Sequence, residues 1–403
     1  MKTRPFHSTI SLDEARAIIE RTVVPLTRTE RARLSEARGR VLARDVVSSA
    51  DVPPFSRAGM DGYALRAADT AGAARATPCV LRQVEEVFTG QVPLLPVQPG
   101  ECSAVATGAP MPAGADAVVM VEDTDEQGGM IRVFAGVQPQ QNVGRRGADI
   151  RAGQRVLAAG ALLNASRLGA LAAVGLSEAE VYARPRVAIL STGNEIVEAG
   201  MPLGPGQIYD INTITLSAVV AEHGGVPVPM QTAADTLDDL GRAVEQCLAH
   251  DVLVFSGGSS VGERDLVLDI VQQKGEVLFH GIAVKPGKPT ALGRIGSTLV
   301  FAMPGYPTSC LSNAYILLAP ALRQLARLPA QGIRSVTMPL GARVSSVAGR
   351  HQFYTVRIED GRAMPAFKAS GDITSMSQAD GYIEIGAEVE RVEAGTMVDV
   401  RMF

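Results

Sequence analysis

Ser256-Gly257-Gly258-Ser259-Ser260-Val261-Gly262-Glu263-Arg264-Asp265 is the stretch that decides how this chain folds. It follows the apolar run Asp251-Val252-Leu253-Val254-Phe255 and precedes Leu266-Val267-Leu268-Asp269-Ile270-Val271, which has helical spacing. A buried strand therefore breaks into a glycine-lined turn that opens onto a helix. Glycine reaches backbone conformations that a β-carbon forbids, so successive N–H groups can aim at one anion. The helix start adds unpaired donors and a dipole favourable to phosphate. Asp265 beside such a loop suits Mg2+, because a hard cation takes carboxylate oxygen next to phosphate oxygen. An ordinary turn has the same composition, so the neighbouring segments must decide.

Two further strands end in the same way. Arg186-Val187-Ala188-Ile189-Leu190 runs into Ser191-Thr192-Gly193-Asn194-Glu195. Thr298-Leu299-Val300-Phe301-Ala302-Met303 runs into Pro304-Gly305-Tyr306-Pro307-Thr308-Ser309, followed by an apolar helix from about Cys310 to Leu325. In open α/β sheets ligands bind beyond the carboxyl ends of the strands, where such loops gather. Between the strand-end loops lies Lys285-Pro286-Gly287-Lys288-Pro289, a stiff turn presenting two ammonium groups. The chain has only five lysines among its 38 Lys and Arg residues. Two of those five in one Pro-Gly turn point to a site that needs compact positive charge rather than a planar fork. A solvated surface turn is the plain alternative; the composition favours an oxyanion site.

With 403 residues the chain exceeds one hydrophobic core, so two to four domains are expected. A net charge of −4 gives no broad basic field, which argues against a nucleic-acid partner. No apolar run approaches membrane-spanning length, and the N-terminus lacks the apolar core of a secretory signal. The expectation is a cytoplasmic protein with no membrane partner. Four scattered cysteines (Cys79, Cys102, Cys247, Cys310) read as free thiols in a reducing compartment. Five isolated histidines offer no zinc spacing, and no Walker loop or Gly-x-Gly-x-x-Gly fingerprint is present.

The expected architecture is multidomain, α/β plus β. Ser11-Leu12-Asp13-Glu14 forms a capping box before a short helix, and a second helical patch covers about Ser166 to Val174. These belong to a helical and extended linking domain, residues 1–45 and 150–180. Residues 46–149, rich in Val, Pro and Gly, form an inserted β-rich domain. In it, Ala117–Val121 and Met130–Phe134 read as strands joined by the Gly128-Gly129 turn. Residues 181–328 alternate strand and helix, predicting a doubly wound, mostly parallel α/β sheet. Helices are expected at Thr213–His223, Leu237–His250, Asp265–Lys274 and Thr308–Leu328. Residues 329–403 return to short strands, as in a small β-barrel or sandwich.

Taken together, these motifs resemble the molybdopterin molybdotransferase family, the MoeA type related to the gephyrin E domain. Gly59-Met60-Asp61-Gly62-Tyr63-Ala64 is similar to the family's Met-Asp-Gly-Tyr-Ala loop, and Ala106-Thr107-Gly108-Ala109-Pro110 opens a segment like its Thr-Gly-Ala-Pro-x-Pro-x-Gly-Ala-Asp run, with Glu122 following. The similarity continues in order through the strand-end loops and the Lys-Pro-Gly-Lys-Pro turn, and covers essentially the whole chain. The resemblance implies insertion of molybdenum from molybdate into adenylylated molybdopterin, with release of AMP. It implies Mg2+ dependence and a twofold homodimer with composite active sites, closed by the inserted domain of the partner. Docking of a molybdopterin adenylyltransferase is a further partner expectation.

The resemblance carries roles onto particular residues. Glu195 and Asp265 serve Mg2+ and the pyrophosphate, with Asp235 a third candidate ligand that equally suits a helix cap. Ser256, Gly257, Gly258 and Ser260 cradle pterin or phosphate. Lys285, Lys288 and Ser309 hold molybdate or offset charge as the anhydride breaks. Asp61, Thr107 and Asp149 are the inserted domain's catalytic candidates; Arg350 and Ser375 are oxyanion contacts from the C-terminal domain. Plain alternatives stand beside these: Asp61 as a turn former, Thr107 as a loop brace, Asp149 paired with Arg145 or Arg146, Glu195 as a cap. Two departures from the family pattern are Ala148, where Glu is common, and Tyr306, where Asn is common. The competing functions are adenylylation of molybdopterin itself and a non-enzymatic gephyrin-like scaffold. The first would need only residues of about 180–328, and fold analogy alone is weak support for the second.

Overall fold

The computed structural model describes residues 9–193, 195–231, 236–257, 266–330, 332 and 334–403. The chain divides into two compact units. One gathers Met1–Glu30, Gly39–Val41 and Val181–Phe403; the other comprises Arg31–Arg38 and Leu42–Glu180.

In the first unit, side-chain alternation along the strands sets the layers. Val187, Ile189, Val252, Val254, Leu299 and Phe301 enter one core, with helices Leu12–Thr22, Asn212–Glu222 and Ala319–Leu325. Their neighbours Ala188, Leu190, Leu253, Phe255 and Val300 enter a second core, with helices Leu237–Cys247 and Leu266–Lys274. Successive residues of a strand face opposite ways, so both sheet faces are covered by helices. The Ser11 capping box is present in full at the head of Leu12–Thr22.

Strand order in this sheet is Val226–Pro229, Arg186–Ser191, Val252–Ser256, Thr298–Met303, Ala291–Ile295, Glu276–His280. Five of these six strands run the same way; Ala291–Ile295 alone runs against them, pairing antiparallel with both Thr298–Met303 and Glu276–His280. The sheet is thus mostly parallel, with one antiparallel strand next to its edge. The cause is a two-residue reversal at Gly296-Ser297, which sets Ile295 opposite Thr298 and makes a hairpin. Chain order reverses at Arg186–Ser191, whose neighbours are Val226–Pro229 and Val252–Ser256. That switch point sets the ends of Arg186–Ser191 and Val252–Ser256 side by side.

The apolar helix after Pro307 differs from a simple α-helix. It runs Pro307–Asn313, widens to a π turn at Ala314–Leu318, and resumes as Ala319–Leu325. Pro320 supplies the reason: it has no N–H for the ordinary i→i−4 bond, so the preceding turn shifts register.

The C-terminal strands form one sheet in the order Val284–Lys285, His351–Glu359, Gly381–Ile385, Met397–Met402, Ser335–Pro339, with Arg362–Pro365 also on His351–Glu359. A bridge between Leu340 and Ala363 brings its two ends together around Met338, Leu340, Val356, Ile383 and Val400, a barrel-like wrap. The first strand of this sheet comes from the Lys-Pro-Gly-Lys-Pro segment.

The second unit holds a six-stranded sheet in the order Ala117–Met120, Gly62–Leu65, Glu101–Val105, Cys79–Val87, Met130–Val133, Thr124–Gln127. Tyr63, Leu65, Leu81, Val119 and Ile131 fill one face, and Ala64, Val87, Val105 and Val118 the other. The Gly128-Gly129 turn joins Thr124–Gln127 to Met130–Val133, so the expected partner Ala117–Val121 is corrected. Thr124–Gln127 escapes pattern reading because Thr-Asp-Glu-Gln is polar on both faces, as an exposed edge strand is.

Candidate functional site

In the first unit the three strand-end loops meet. Thr192 donates its N–H to the Ser256 carbonyl at 3.0 Å. Gly257 has φ +114, and a β-carbon on it would lie 2.4 Å from the Thr192 carbonyl oxygen. No other residue fits there. A β-carbon on Gly305 would touch Gly257 Cα at 3.5 Å, so the third loop closes over the second.

Asn212 ties the loops together. Its Nδ2 donates to Ser256 Oγ at 2.7 Å and to the Gly305 carbonyl at 2.8 Å. Asn212 is 8% exposed, and its Oδ1 is a buried acceptor with no partner among the described residues. Beside it, Asp210 accepts from Thr213 N–H and Oγ1–H at 2.9 and 2.6 Å, and Ser191 Oγ lies 2.8 Å from Thr213 Oγ1. Asn212, Asp210 and Thr213 were not anticipated. The only signal was an Asp-x-Asn-Thr run before a helix, which looks like ordinary helix-start chemistry.

The Lys-Pro-Gly-Lys-Pro turn is bolted down just as firmly. Asn313, fully buried, donates through Nδ2 to the Gly287 carbonyl at 2.9 Å and also to Thr290 Oγ1. Thr290 Oγ1 donates to the same carbonyl at 3.0 Å. Val284–Lys285 pairs in parallel with His351–Gln352, which sets Lys285 beside the strand that Arg350 precedes. Ser309, 3% exposed, lies on the same helix as Asn313.

Ser375 departs from its expected role. It is wholly buried, donates to the Asp372 carbonyl at 2.7 Å and sits 3.1 Å from Thr308 Oγ1. Its hydroxyl proton is used inside the protein, so Ser375 braces the helix start instead of offering a donor to an anion. Asp235, Gly258, Ser260 and Asp265 lie outside the described residues.

Of the three expected magnesium ligands, Asp235 and Asp265 lie outside the described residues. Among the described residues no three His, Cys, Asp or Glu side chains gather to hold a metal ion. Glu195 alone of the expected ligands is described; it is exposed, and its Oε2 lies 2.7 Å from where a β-carbon on Gly193 would stand. A hard cation needs several oxygens, so Glu195 would act with further carboxylates.

In the second unit, the Asp61 carboxylate accepts from Thr107 N–H at 2.6 Å and from Thr107 Oγ1–H at 2.8 Å. The Thr107 backbone N–H, and then its hydroxyl, hold the Asp61 carboxyl below the usual carboxylate range. Both residues are exposed. They come from the turn before Gly62–Leu65 and the turn after Glu101–Val105, strands that pair antiparallel. Asp149 is also exposed; Arg146, one of its expected partners, instead pairs with Asp51 at 2.6 Å.

Three family models cover this chain in succession: MoeA N-terminal region (domain I and II) at residues 10–175, "Probable molybdopterin binding domain" at 188–324, and MoeA C-terminal region (domain IV) at 337–403. Among curated relatives, "Molybdopterin molybdenumtransferase 2" of Mycobacterium tuberculosis is 35% identical over 91% of this chain and 93% of that protein. The "Molybdopterin molybdenumtransferase" of Haemophilus influenzae is 32% identical over 98% of each. The chain belongs to the MoeA family. A solved MoeA structure from Pyrococcus horikoshii matches with a TM-score of 0.85 at 38% identity, over 98% of this chain and 99% of that one. As a MoeA family member the protein is a transferase of molybdenum cofactor biosynthesis, and no described helix is long and apolar enough to cross a membrane.

Proposed function

We propose that this protein inserts molybdenum from molybdate into adenylylated molybdopterin, releasing AMP and forming the molybdenum cofactor in a Mg2+-dependent reaction. The observation that carries this reading is the single amide of Asn212, which holds the Ser256 and Gly305 loops together at 2.7 and 2.8 Å. That bond supports a pocket at the switch point of the sheet, where α/β proteins hold their ligands. Ser256 and Gly257 lie where a phosphate or pterin would rest. Lys285 and Lys288, on a turn held rigid by Asn313, supply compact positive charge for a tetrahedral dianion such as molybdate. The same charge offsets negative charge appearing on the phosphate as the anhydride opens; such preorganised charge is the main resource of enzymes of this kind. Ser309 and Arg350 are further oxyanion contacts in this proposal. Glu195, with Asp235 and Asp265, would hold Mg2+, the ion that shields the pyrophosphate.

Asp61, Thr107 and Asp149 complete the catalytic set in the same reading. It includes a homodimer with composite sites, docking of an adenylyltransferase, and a cytoplasmic setting suited to four free cysteines. The test incubates purified protein with adenylylated molybdopterin, Mg2+ and molybdate, and follows AMP by chromatography and protein-bound molybdenum by mass spectrometry. Molybdate-dependent AMP release with molybdenum retained is the expected result. Adenylylation of molybdopterin from ATP, without metal insertion, would overturn it.

A further inference from the structure

Tyr306 follows Gly305 in the third strand-end loop with 66% of its surface exposed, the most exposed of the large aromatic side chains among the described residues. Aromatic residues make up only 4% of the chain, and most of its seven tyrosines are buried or half-buried. Of the two exposed tyrosines, Tyr209 shows 42% of its surface and Tyr306 the larger share. Its position is fixed from both sides. Gly305 before it is held by Asn212 through the carbonyl, at 2.8 Å, and approaches Gly257. Pro307 after it opens the helix Pro307–Asn313. Thr308 donates its N–H to the Ser370 carbonyl at 3.1 Å and its hydroxyl to the Asp372 carbonyl at 2.9 Å, so the loop at 369–372 packs against this corner. Gly371 in that loop comes so near that a β-carbon on it would meet the ring at 3.7 Å. Backbone thus supports one region of the ring, and the rest faces solvent beside the strand-end loops.

A rigidly mounted, exposed aromatic ring next to a pocket suited to phosphate has one obvious use. Planar nitrogen heterocycles stack on such rings, and the gain does not depend on hydrogen-bond readout. We propose that Tyr306 is a stacking platform for the heterocycle of the substrate, binding the ring of a nucleotide or pterin whose phosphate lies towards Ser256 and Gly257. The inference rests on the functional reading above and adds to it a residue that sets affinity for the ring without touching phosphate.

The experiment titrates the intact protein with AMP, ribose 5-phosphate and neopterin by calorimetry, for wild type, Tyr306→Phe and Tyr306→Ala. Loss of one stacking contact weakens base binding by about tenfold. Tyr306→Ala is expected to weaken AMP or neopterin by that factor, and whichever ligand responds identifies the ring. Ribose 5-phosphate is expected to bind all three proteins within about twofold, and Tyr306→Phe to keep wild-type affinity because the phenyl ring still stacks. The chain contains no tryptophan, so its fluorescence is that of tyrosine. Quenching by the responding ligand is expected to shrink in Tyr306→Phe while affinity is kept. Equal loss of ribose 5-phosphate and AMP in Tyr306→Ala would overturn the stacking role in favour of a loop effect, as would no loss of any ligand. If the wild-type protein bound none of the three at millimolar concentration, the phosphate and pterin reading of the pocket would itself fall, and the platform with it.

Discussion

Asn313 and Gly287 are fitted to each other so closely that neither tolerates a larger neighbour. The amide nitrogen of Asn313 donates to the Gly287 carbonyl at 2.9 Å, and a β-carbon on Gly287 would fall 2.1 Å from that same nitrogen. Gly287 has φ +103, where side chains other than hydrogen are strained. The spacing of Lys285 and Lys288 is therefore set by a buried helix residue, not by the turn alone.

Gly287→Ala tests this relationship. The alanine meets both an unfavourable φ and a collision with the Asn313 amide, and together these cost about 2–4 kcal/mol. Chemical denaturation is expected to show that loss. Molybdate-dependent AMP release is expected to fall by more than tenfold even at temperatures where the variant is folded, because the lysines no longer hold their spacing. A variant with wild-type turnover would show that the turn has no part in the reaction.

Asn212→Ala removes the donor shared by Ser256 and Gly305. Ser256 Oγ can turn to another partner, but the Gly305 carbonyl is left without its donor, at a cost of about 1–3 kcal/mol. The expected signature is loss of affinity for ribose 5-phosphate and AMP alike, since the whole pocket rim loosens. This contrasts with Tyr306→Ala, which is expected to separate the two ligands.

Much of the first unit was legible because its strands are buried on both faces and read as unbroken apolar runs: Val187–Leu190, Val252–Phe255 and Leu299–Met303. The start of the first helix followed from its cap at Ser11, whose side chain accepts from Glu14 N–H; the Asn164 cap of Ala165–Ala173, accepting from Arg167 N–H, shows only in the structure. What stayed hidden depends on contacts distant in sequence. Val226-Pro227-Val228-Pro229 carries two prolines and reads as loop, yet at the sheet edge their missing N–H groups cost little. Val284–Lys285 pairs with His351–Gln352, a register that no local pattern encodes. Nothing local in the sequence marks Asn212 or Asn313 as a loop anchor; only the fold shows that each is buried and holds a loop.

Asp61→Asn is expected to abolish most turnover while leaving the melting temperature nearly unchanged. The carboxylate is exposed and accepts two bonds from Thr107, so the amide can keep the loop roughly in place but loses the negative charge. Thr107→Val removes the hydroxyl bond and keeps the charge. If both variants lose activity together, the pair acts as a unit; if only Thr107→Val is active, charge at Asp61 is what the reaction needs. Wild-type activity in Asp61→Asn would remove the residue from the catalytic set.

Thiol labelling checks the state of the cysteines. Burial pushes the Cys102 and Cys310 thiols up to about 12 and the Cys247 thiol up to about 11. Thiolate is the reactive form, so these three are expected to resist iodoacetamide at about pH 8 in the folded protein. Cys79, half-buried, is expected to be alkylated first. Peptide mass spectrometry before and after unfolding in guanidinium distinguishes one labelled site from four. Rapid labelling of Cys310 would mean that the floor beneath Ser256, 4.0 Å away, opens readily.

Glu384 makes the clearest pH prediction. It joins two guanidinium groups, Arg401 and Arg16 (3.7 Å, from helix Leu12–Thr22), and lies 3.3 Å from His351 Nε2 beside the Val284–Lys285 pairing. Burial raises its carboxyl, but His351 and then the two guanidinium groups outweigh burial and hold it below the ordinary value of 4.5. A depressed carboxyl contributes stability that is fully present above the unfolded pKa and fades as pH falls through the folded one. Glu384→Gln is therefore expected to destabilise the protein by about 1–3 kcal/mol near neutral pH, the cost of losing a charged acceptor. The gap between wild type and variant, measured by urea denaturation, is expected to narrow only below pH 4.5, once the unfolded chain begins to take up the proton. Tyr382, also pushed up by burial and by Glu384, titrates far above this window and leaves the sign unchanged. A gap that stayed constant down to about pH 3 would mean that the carboxylate's partners do not depress its pKa in the folded protein.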